Sequence, residues 1–461
     1  MQATNTTNGL SAKGGYNLFT ISLIAALAGF IFGFDTVVIS GANLPIKELW
    51  HTSPWFHGFF IMSMALWGTV VGSVFGGIPT QLYGRKKVLL WIGILFSVSA
   101  IGSALAQGPY MFSFFRFIGG LGIGISSVAA PTYISEISTP KTRGRLGAMY
   151  QFNIVFGILI AFLSNYFFKG MGGANDWRWM LGIMAVPALI YTLMVFRIPE
   201  SPRWLLSIKK DLPAAKDVML RLGINNVDEE IATIQAANEH EAKSGSTAQF
   251  FSSKYSVVLW LAFMVAFFNQ WSGINFILYY APEILERAGL AAKDSLFNSI
   301  SIGAVNLLFT FVGLYLIDRV GRKTLLLIGS FGYIISLSLV AWAFYSGAGA
   351  GFLLSFLLLF IASHAVGQGA VIWVFISEIF PNKVRASGQS FGASVHWVFA
   401  AIITLITPLF LDKDNGIFKD NPWPIFAFFA FMMALQLVWV LTKVPETKVV
   451  SLEELEKRLV K

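Results

Sequence analysis

The chain contains no cysteine. Disulfides, thiol catalysis and thiolate metal sites are therefore excluded. Histidine is scarce as well, five in 461 residues, and none falls in an HExxH or similar metal-holding spacing. No GxxxxGK[ST] loop is present, so nothing in the sequence calls for a nucleotide. Charge is the third scarcity: Asp, Glu, Lys and Arg make up only 12% of the residues, against roughly 25% in a soluble domain. Neither an enzyme's reactive groups nor a cofactor or metal set can be read here.

Apolar sequence fills the space, at 56% of the residues. Runs of the ~20 apolar residues needed to cross a bilayer recur along most of the length. The expectation is an all-α, polytopic membrane protein. The net charge of +9 then reads as basic residues flanking the spans, not as a nucleic-acid surface. The first apolar run is too long and begins too late for a signal peptide.

Twelve spans are predicted, at 17–40, 56–79, 87–107, 111–134, 147–168, 178–198, 255–283, 297–317, 323–345, 352–377, 387–410 and 422–443. They divide into a polar tail (1–16), a six-span half (17–198), a linker (199–254), a second six-span half (255–443) and a tail helix (444–461). Within the linker, PAAKDVMLRL and DEEIATIQAANEHEAK read as helices and SGSTAQFFSS as a flexible joint. Basic residues gather in the short loops after spans 2, 4, 8 and 10: Arg85, Lys86 and Lys87; Lys141, Arg143 and Arg145; Arg319, Arg322 and Lys323; Lys383 and Arg385. The positive-inside rule places these loops, and both termini, in the cytoplasm.

The halves repeat. YGRKK at 83–87 answers VGRKT at 320–324, and ISEI at 134–137 recurs unchanged at 376–379. Arg143 follows Glu136 by seven residues, and Arg385 follows Glu378 by seven. Two six-span halves in parallel repeat, with a site between them at the midplane, is an architecture of secondary transporters.

One carboxylate stands alone in span 1. Asp35 lies in GFIFGFDTVVISG, and no other ionisable side chain occurs between Leu18 and Leu44. A charge at mid-membrane costs ~2.5–3.5 kcal/mol on insertion scales, so it demands a partner. At 1.5 Å per residue Asp35 lies ~27 Å along span 1 and Arg116 ~9 Å into span 4 from the opposite side. Arg116 is the only charge of span 4, and the matching depths make the two expected partners.

Amides and aromatics form the other polar set: Gln151 in span 5, Asn269, Gln270, Asn275 and Tyr279 in span 7, Asn306 in span 8, Trp373 in span 10, and His396 and Trp397 in span 11. Asn275 and Tyr279 are four apart, on one helical face. Amides both donate to and accept from hydroxyls, and aromatic rings cover apolar C–H faces, which together suit a sugar.

The motifs QLYGRK (81–86), PTYISEISTPKTRG (131–144), PESPRWLL (199–206), QWSGIN (270–275), DRVGRK (318–323) and PETK (445–448), in this order, resemble the sugar porter family of the major facilitator superfamily. The resemblance covers essentially the whole chain. It implies proton-coupled import of a monosaccharide by alternating access, by a monomer in the cell membrane, with the proton as the only coupling ion. It assigns Asp35 and Arg116 to proton coupling, and Gln151, Gln270, Asn275, Asn306, Trp373 and Trp397 to the sugar. It also implies that Arg85, Glu136, Arg143, Arg322, Glu378 and Arg385 form salt bridges that hold the halves together when the cavity opens outward. There are departures. Gln81–Leu82 stands where an acidic or amide residue followed by Arg is typical, Asn269 replaces a glutamine, and His396 replaces an amide. Ile158 stands where xylose–proton symporters of the family have a glutamine and its glucose facilitators an isoleucine, which points to a hexose. Two alternatives compete: a facilitator in which Asp35–Arg116 is purely structural, and a non-transporting sugar receptor, for which the segment after Pro445 is short.

Overall fold

The structure, a computed structural model, describes residues 15–139, 142–224, 226–243, 250–381, 384–448, 450 and 452–460. Lys141 and Lys383, most of the SGSTAQFFSS joint and nearly all of the first tail lie outside them. Every described element is a helix. Among the described residues eleven segments are long and apolar enough to cross a membrane, and the pair Pro54–Met62 and Met64–Phe75, bent by 43°, makes twelve. Twelve spans leave both chain ends on one face, here called the termini face; its opposite is the far face.

Several spans match the expected positions closely, such as Arg85–Leu105 for span 3 and Trp423–Lys443 for span 12. Others are longer or broken. Span 1 runs from Leu18 to Trp50, through Pro45 and well past the expected end. Span 2 begins with a wide π-helical turn, His57–Met62, a feature that re-aims side chains at functional sites. Span 7 is two helices, Ser256–Trp271 and Ile274–Arg287, broken at Gly273, whose φ of +88° suits glycine. Tyr280 interrupts the second of these with non-helical angles, just past the regular turn that carries Asn275 and Tyr279. Span 10 breaks at Gly367 into Ala350–Val366 and Gln368–Ile379.

The linker carries helices Leu212–Arg221 and Val227–Lys243, close to the two expected. Leu205, Met219, Val227 and Ile231 form its own small apolar core. The tail helix is Leu452–Leu459. On the outer surface of the bundle, span 3 exposes Trp91, Ile94, Val98, Ile101 and Leu105. These recur every three or four residues, as expected of a stripe facing lipid.

Inside each half, helices approach through small residues. Gly68 and Gly72 of span 2 face Gly120 and Gly124 of span 4, and a Cβ on Gly120 would lie 1.9 Å from the carbonyl oxygen of Ala65. Lipid gives helices no hydrophobic reason to associate, so such close backbone contact supplies the packing. Gly120→Val is therefore expected to lower stability by about 1–3 kcal/mol or more. Thermal unfolding in detergent, with Gly351→Ala as the control at a position open to space, checks this.

Candidate substrate and proton site

The break in span 7 sets the polar centre. Ser272 Oγ donates to the carbonyl of Asn269 at 2.6 Å, using a backbone group near the break. Asn275 Nδ2 donates to Gln270 Oε1 at 2.8 Å, and Gln270 Nε2 donates to Asn269 Oδ1 at 3.0 Å. The same Nε2 lies 3.1 Å from both ring nitrogens of His396. His396 packs against Trp373 with ring centroids 5.1 Å apart, and against Trp397 at 4.8 Å. Trp397 in turn meets Phe32 of span 1, 5.6 Å away, so the chain of contacts reaches the other half. Six of the nine expected sugar residues are thereby brought together.

The remaining three are not linked to that chain by a described hydrogen bond or ring contact. Asn306 is buried and Gln151 half-buried, and neither amide has a protein hydrogen bond among the described residues. Such amides retain their full capacity for hydroxyls. Tyr279 is completely buried, and its hydroxyl has no partner. It lies within electrostatic range of Arg116 and Asp35.

Asp35 and Arg116 meet, at 0% and 1% exposure. Arg116 Nη1 donates to Asp35 Oδ1 at 2.5 Å, and Nη2 donates to the Asp35 backbone carbonyl at 3.3 Å. The pairing is one-sided: Asp35 Oδ2 and Arg116 Nε have no partner. A carboxylate that accepts on one oxygen keeps the other free to take a proton. Gly119, one turn beyond Arg116, packs beside that buried oxygen. A Cβ there would lie 3.6 Å from Oδ2 and 2.4 Å from the unpartnered hydroxyl of Ser99.

A second polar chain, which the sequence reading missed, closes the far face. Thr52 Oγ1 lies 2.8 Å from His57 Nδ1, and His57 Nε2 lies 2.7 Å from Asn43 Oδ1. Asn43 Nδ2 then donates to Glu283 Oε2 at 2.7 Å, joining span 1 to span 7. Lys47 pairs with Asp412 beside it. Among the described residues this is the only ion pair between the halves. Nearby, a Cβ on Gly58 would lie 1.9 Å from the carbonyl oxygen of Leu405. Glu283 as a second carboxylate in an apolar run was the available signal.

On the termini face the charges pair within each half. Arg85 grips Glu136 with Nε at 2.8 Å and Nη2 at 2.7 Å. Arg322 grips Glu378 the same way, at 3.1 and 2.7 Å. Each arginine also begins a helix capped by a carboxylate from a family motif. Glu200 of PESPR accepts from the Arg85 N–H at 2.9 Å, and Glu446 of PETK accepts from the Arg322 N–H at 2.9 Å. Arg143 is exposed and makes no ion pair among the described residues; Arg385 Nε and Nη2 have no partner. No described ion pair crosses between the halves on this face.

The far face is thus latched and the termini face is not. A hydrogen bond to a charged group contributes ~1.5–3 kcal/mol. Asn43→Ala should then raise the far-side accessibility of this seam on the order of tenfold. Since the chain has no native cysteine, thiol labelling of Ser40→Cys, with and without Asn43→Ala, reads this directly. An unchanged rate would mean the chain does not hold the seam.

The comparisons agree along the whole chain. The model of the "Sugar (and other) transporter" family matches residues 21–459. The chain is 36% identical over 447 residues to the arabinose-proton symporter of Bacillus subtilis (strain 168), covering 96% of this chain and 95% of that protein. It is 33% identical over 453 residues to the galactose-proton symporter of Escherichia coli (strain K12), covering 96% and 94%. Its fold superimposes on the inward open conformation of the xylose transporter XylE from E. coli with a TM-score of 0.83, at 30% identity, over 96% of this chain and 100% of that one. These are transporters, not enzymes. The chain belongs to the Sugar (and other) transporter family and is a multi-pass membrane transporter of the major facilitator fold.

Proposed function

We propose that this protein imports a monosaccharide of the hexose class together with a proton, by alternating access, as a monomer with the termini face in the cytoplasm. The observation that carries the coupling is the Asp35–Arg116 pair, sealed from solvent with one carboxylate oxygen unpaired. Desolvation of a lone carboxylate favours its neutral form and the guanidinium favours its charged form. A small change in wetting or in Arg116 position therefore decides whether Asp35 holds a proton. When the far side opens, water reaches Asp35 and delivers a proton to it. Neutral Asp35 releases Arg116 from its charge partner, and the halves close behind the proton and the sugar. Opening of the termini side lets the proton leave, and the ion pair re-forms.

The sugar assignment rests on the amides and rings. Gln270, Asn275 and Asn269 present a hydrogen-bonded edge, Gln151 and Asn306 keep unused amides, and Trp373 and Trp397 supply flat apolar walls. Relatives named for arabinose, xylose and galactose support a monosaccharide, and Ile158 favours a hexose over a pentose. The latched far face supports reading this state as open to the cytoplasm. The six termini-face charges then form bridges between the halves only in the opposite state, with Arg143 and Arg385 the groups left waiting for partners. A two-state element of this kind is what alternating access requires.

One observation favours a second reading, a facilitator. Arg116 also donates to the Asp35 backbone carbonyl, a tie that outlasts neutralisation of the carboxylate. Uptake in proteoliposomes with an imposed pH gradient, across labelled hexoses and pentoses, separates the two. Wild type should accumulate a hexose, and Asp35→Asn should lose accumulation yet keep counterflow exchange. Equilibration without accumulation in wild type would make the pair structural and the protein a facilitator.

A further inference from the structure

A groove of about 340 Å³ opens on the termini face at the lipid-facing rim of the first half. Its walls are the start of span 3, the end of span 6 and the first turn of the linker. Lys86, Lys87 and Lys209 line it together with Tyr83, Phe196 and Trp204. The walls are fixed. The Trp204 indole N–H donates to the carbonyl of Gln81 at 2.6 Å, and Lys86 Nζ donates to the carbonyl of Phe196 at 3.0 Å. Glu200 is the one carboxylate in the lining. One of its oxygens already accepts from the backbone N–H groups of Arg85, Lys86 and Ser201, at 2.9, 3.0 and 2.8 Å. Among the described residues Lys209 has one ion partner, the partly exposed Asp211 at 3.3 Å, and pairs near the surface carry little weight.

The internal repeat shows what is special here. In the second half Lys323 repeats the bond of Lys86, donating to the carbonyl of Leu441 at 3.3 Å. There, however, Asp318 lies 3.0 Å from Arg322 and adds a negative charge to the same turn. The first half has Gln81 at the position of Asp318, Leu82 at that of Arg319, and Lys87 at that of Thr324. It loses a carboxylate, exchanges an arginine for a lysine further along the turn, and sets exposed apolar side chains beside them. Leu82 is 63% exposed, Tyr83 49% and Phe196 59%. Below the groove, span 3 continues with its lipid-facing stripe.

We propose that this groove binds a phospholipid with a net-anionic headgroup, the phosphate against Lys87 and Lys209 and the acyl chains along span 3. Clustered lysines at the end of membrane helices attract anionic lipid, and aromatic side chains mark the headgroup level. The groove lies where span 2, span 3, span 6 and the linker meet, so an occupied site ties the linker to the first half.

Native mass spectrometry of the detergent-solubilised full chain, titrated with phosphatidylglycerol or phosphatidylcholine of matched acyl chains, tests this. Wild type should prefer phosphatidylglycerol. Lys87→Gln/Lys209→Gln should weaken that binding on the order of tenfold and leave phosphatidylcholine binding unchanged, while Lys87→Arg/Lys209→Arg should retain the preference. Inorganic phosphate, matched in ionic strength with chloride, should leave the lipid bound. Equal phosphatidylglycerol binding by wild type and the double glutamine variant overturns the proposal, as does a wild type without headgroup preference. Displacement by phosphate but not by chloride would assign the groove to a free anion and overturn the lipid.

Discussion

A carboxylate and a guanidinium sealed together inside a membrane bundle constrain everything around them. Neither could stay charged alone in that setting. Arg116 can reach Asp35 only because spans 1 and 4 are brought side by side, and span 4 is drawn in by its glycine contacts with span 2. The pair is also incomplete, with an oxygen and a nitrogen left over. A fully satisfied buried ion pair would act as a permanent strut. The unpaired oxygen of this one is the feature on which the proposed proton coupling rests.

Around that pair each half is tied together on the termini face. Each half carries the same staple: an arginine that grips a glutamate at the end of the following span, and a second glutamate that caps the arginine's own helix. The staple is Arg85, Glu136 and Glu200 in the first half and Arg322, Glu378 and Glu446 in the second. Neither staple crosses the seam between the halves. On the far face that seam is polar and closed, through Asn43, His57 and Glu283. At mid-depth it is aromatic, where Trp397 meets Phe32. Tyr279, buried without a partner near Asp35 and Arg116, sits in the second half within reach of the first half's charges.

The sequence disclosed the spans, the repeat and the Asp35–Arg116 partnership, because hydropathy, spacing and lone charges each leave a local mark. It did not disclose where helices break. QWSGIN was legible as a motif, but only the backbone shows that Gly273 splits span 7 and separates Gln270 from Tyr279. Span 1 extends to Trp50 because Asn43 and Lys47 are satisfied by the opposite half. Hydropathy measures fitness for lipid and reads such a stretch as a loop. Glu200 and Glu446 lay inside quoted motifs, yet their role as helix caps depends on chain segments more than a hundred residues away in sequence. Long-range partnership is the information that a single sequence carries least.

The central claim is that sugar and proton move together through Asp35. Solid-supported membrane electrophysiology on reconstituted protein measures it without an imposed pH gradient. A hexose concentration jump at equal pH should evoke an inward transport current in wild type and none in Asp35→Asn. A wild type that moves labelled hexose while producing no current would contradict the account.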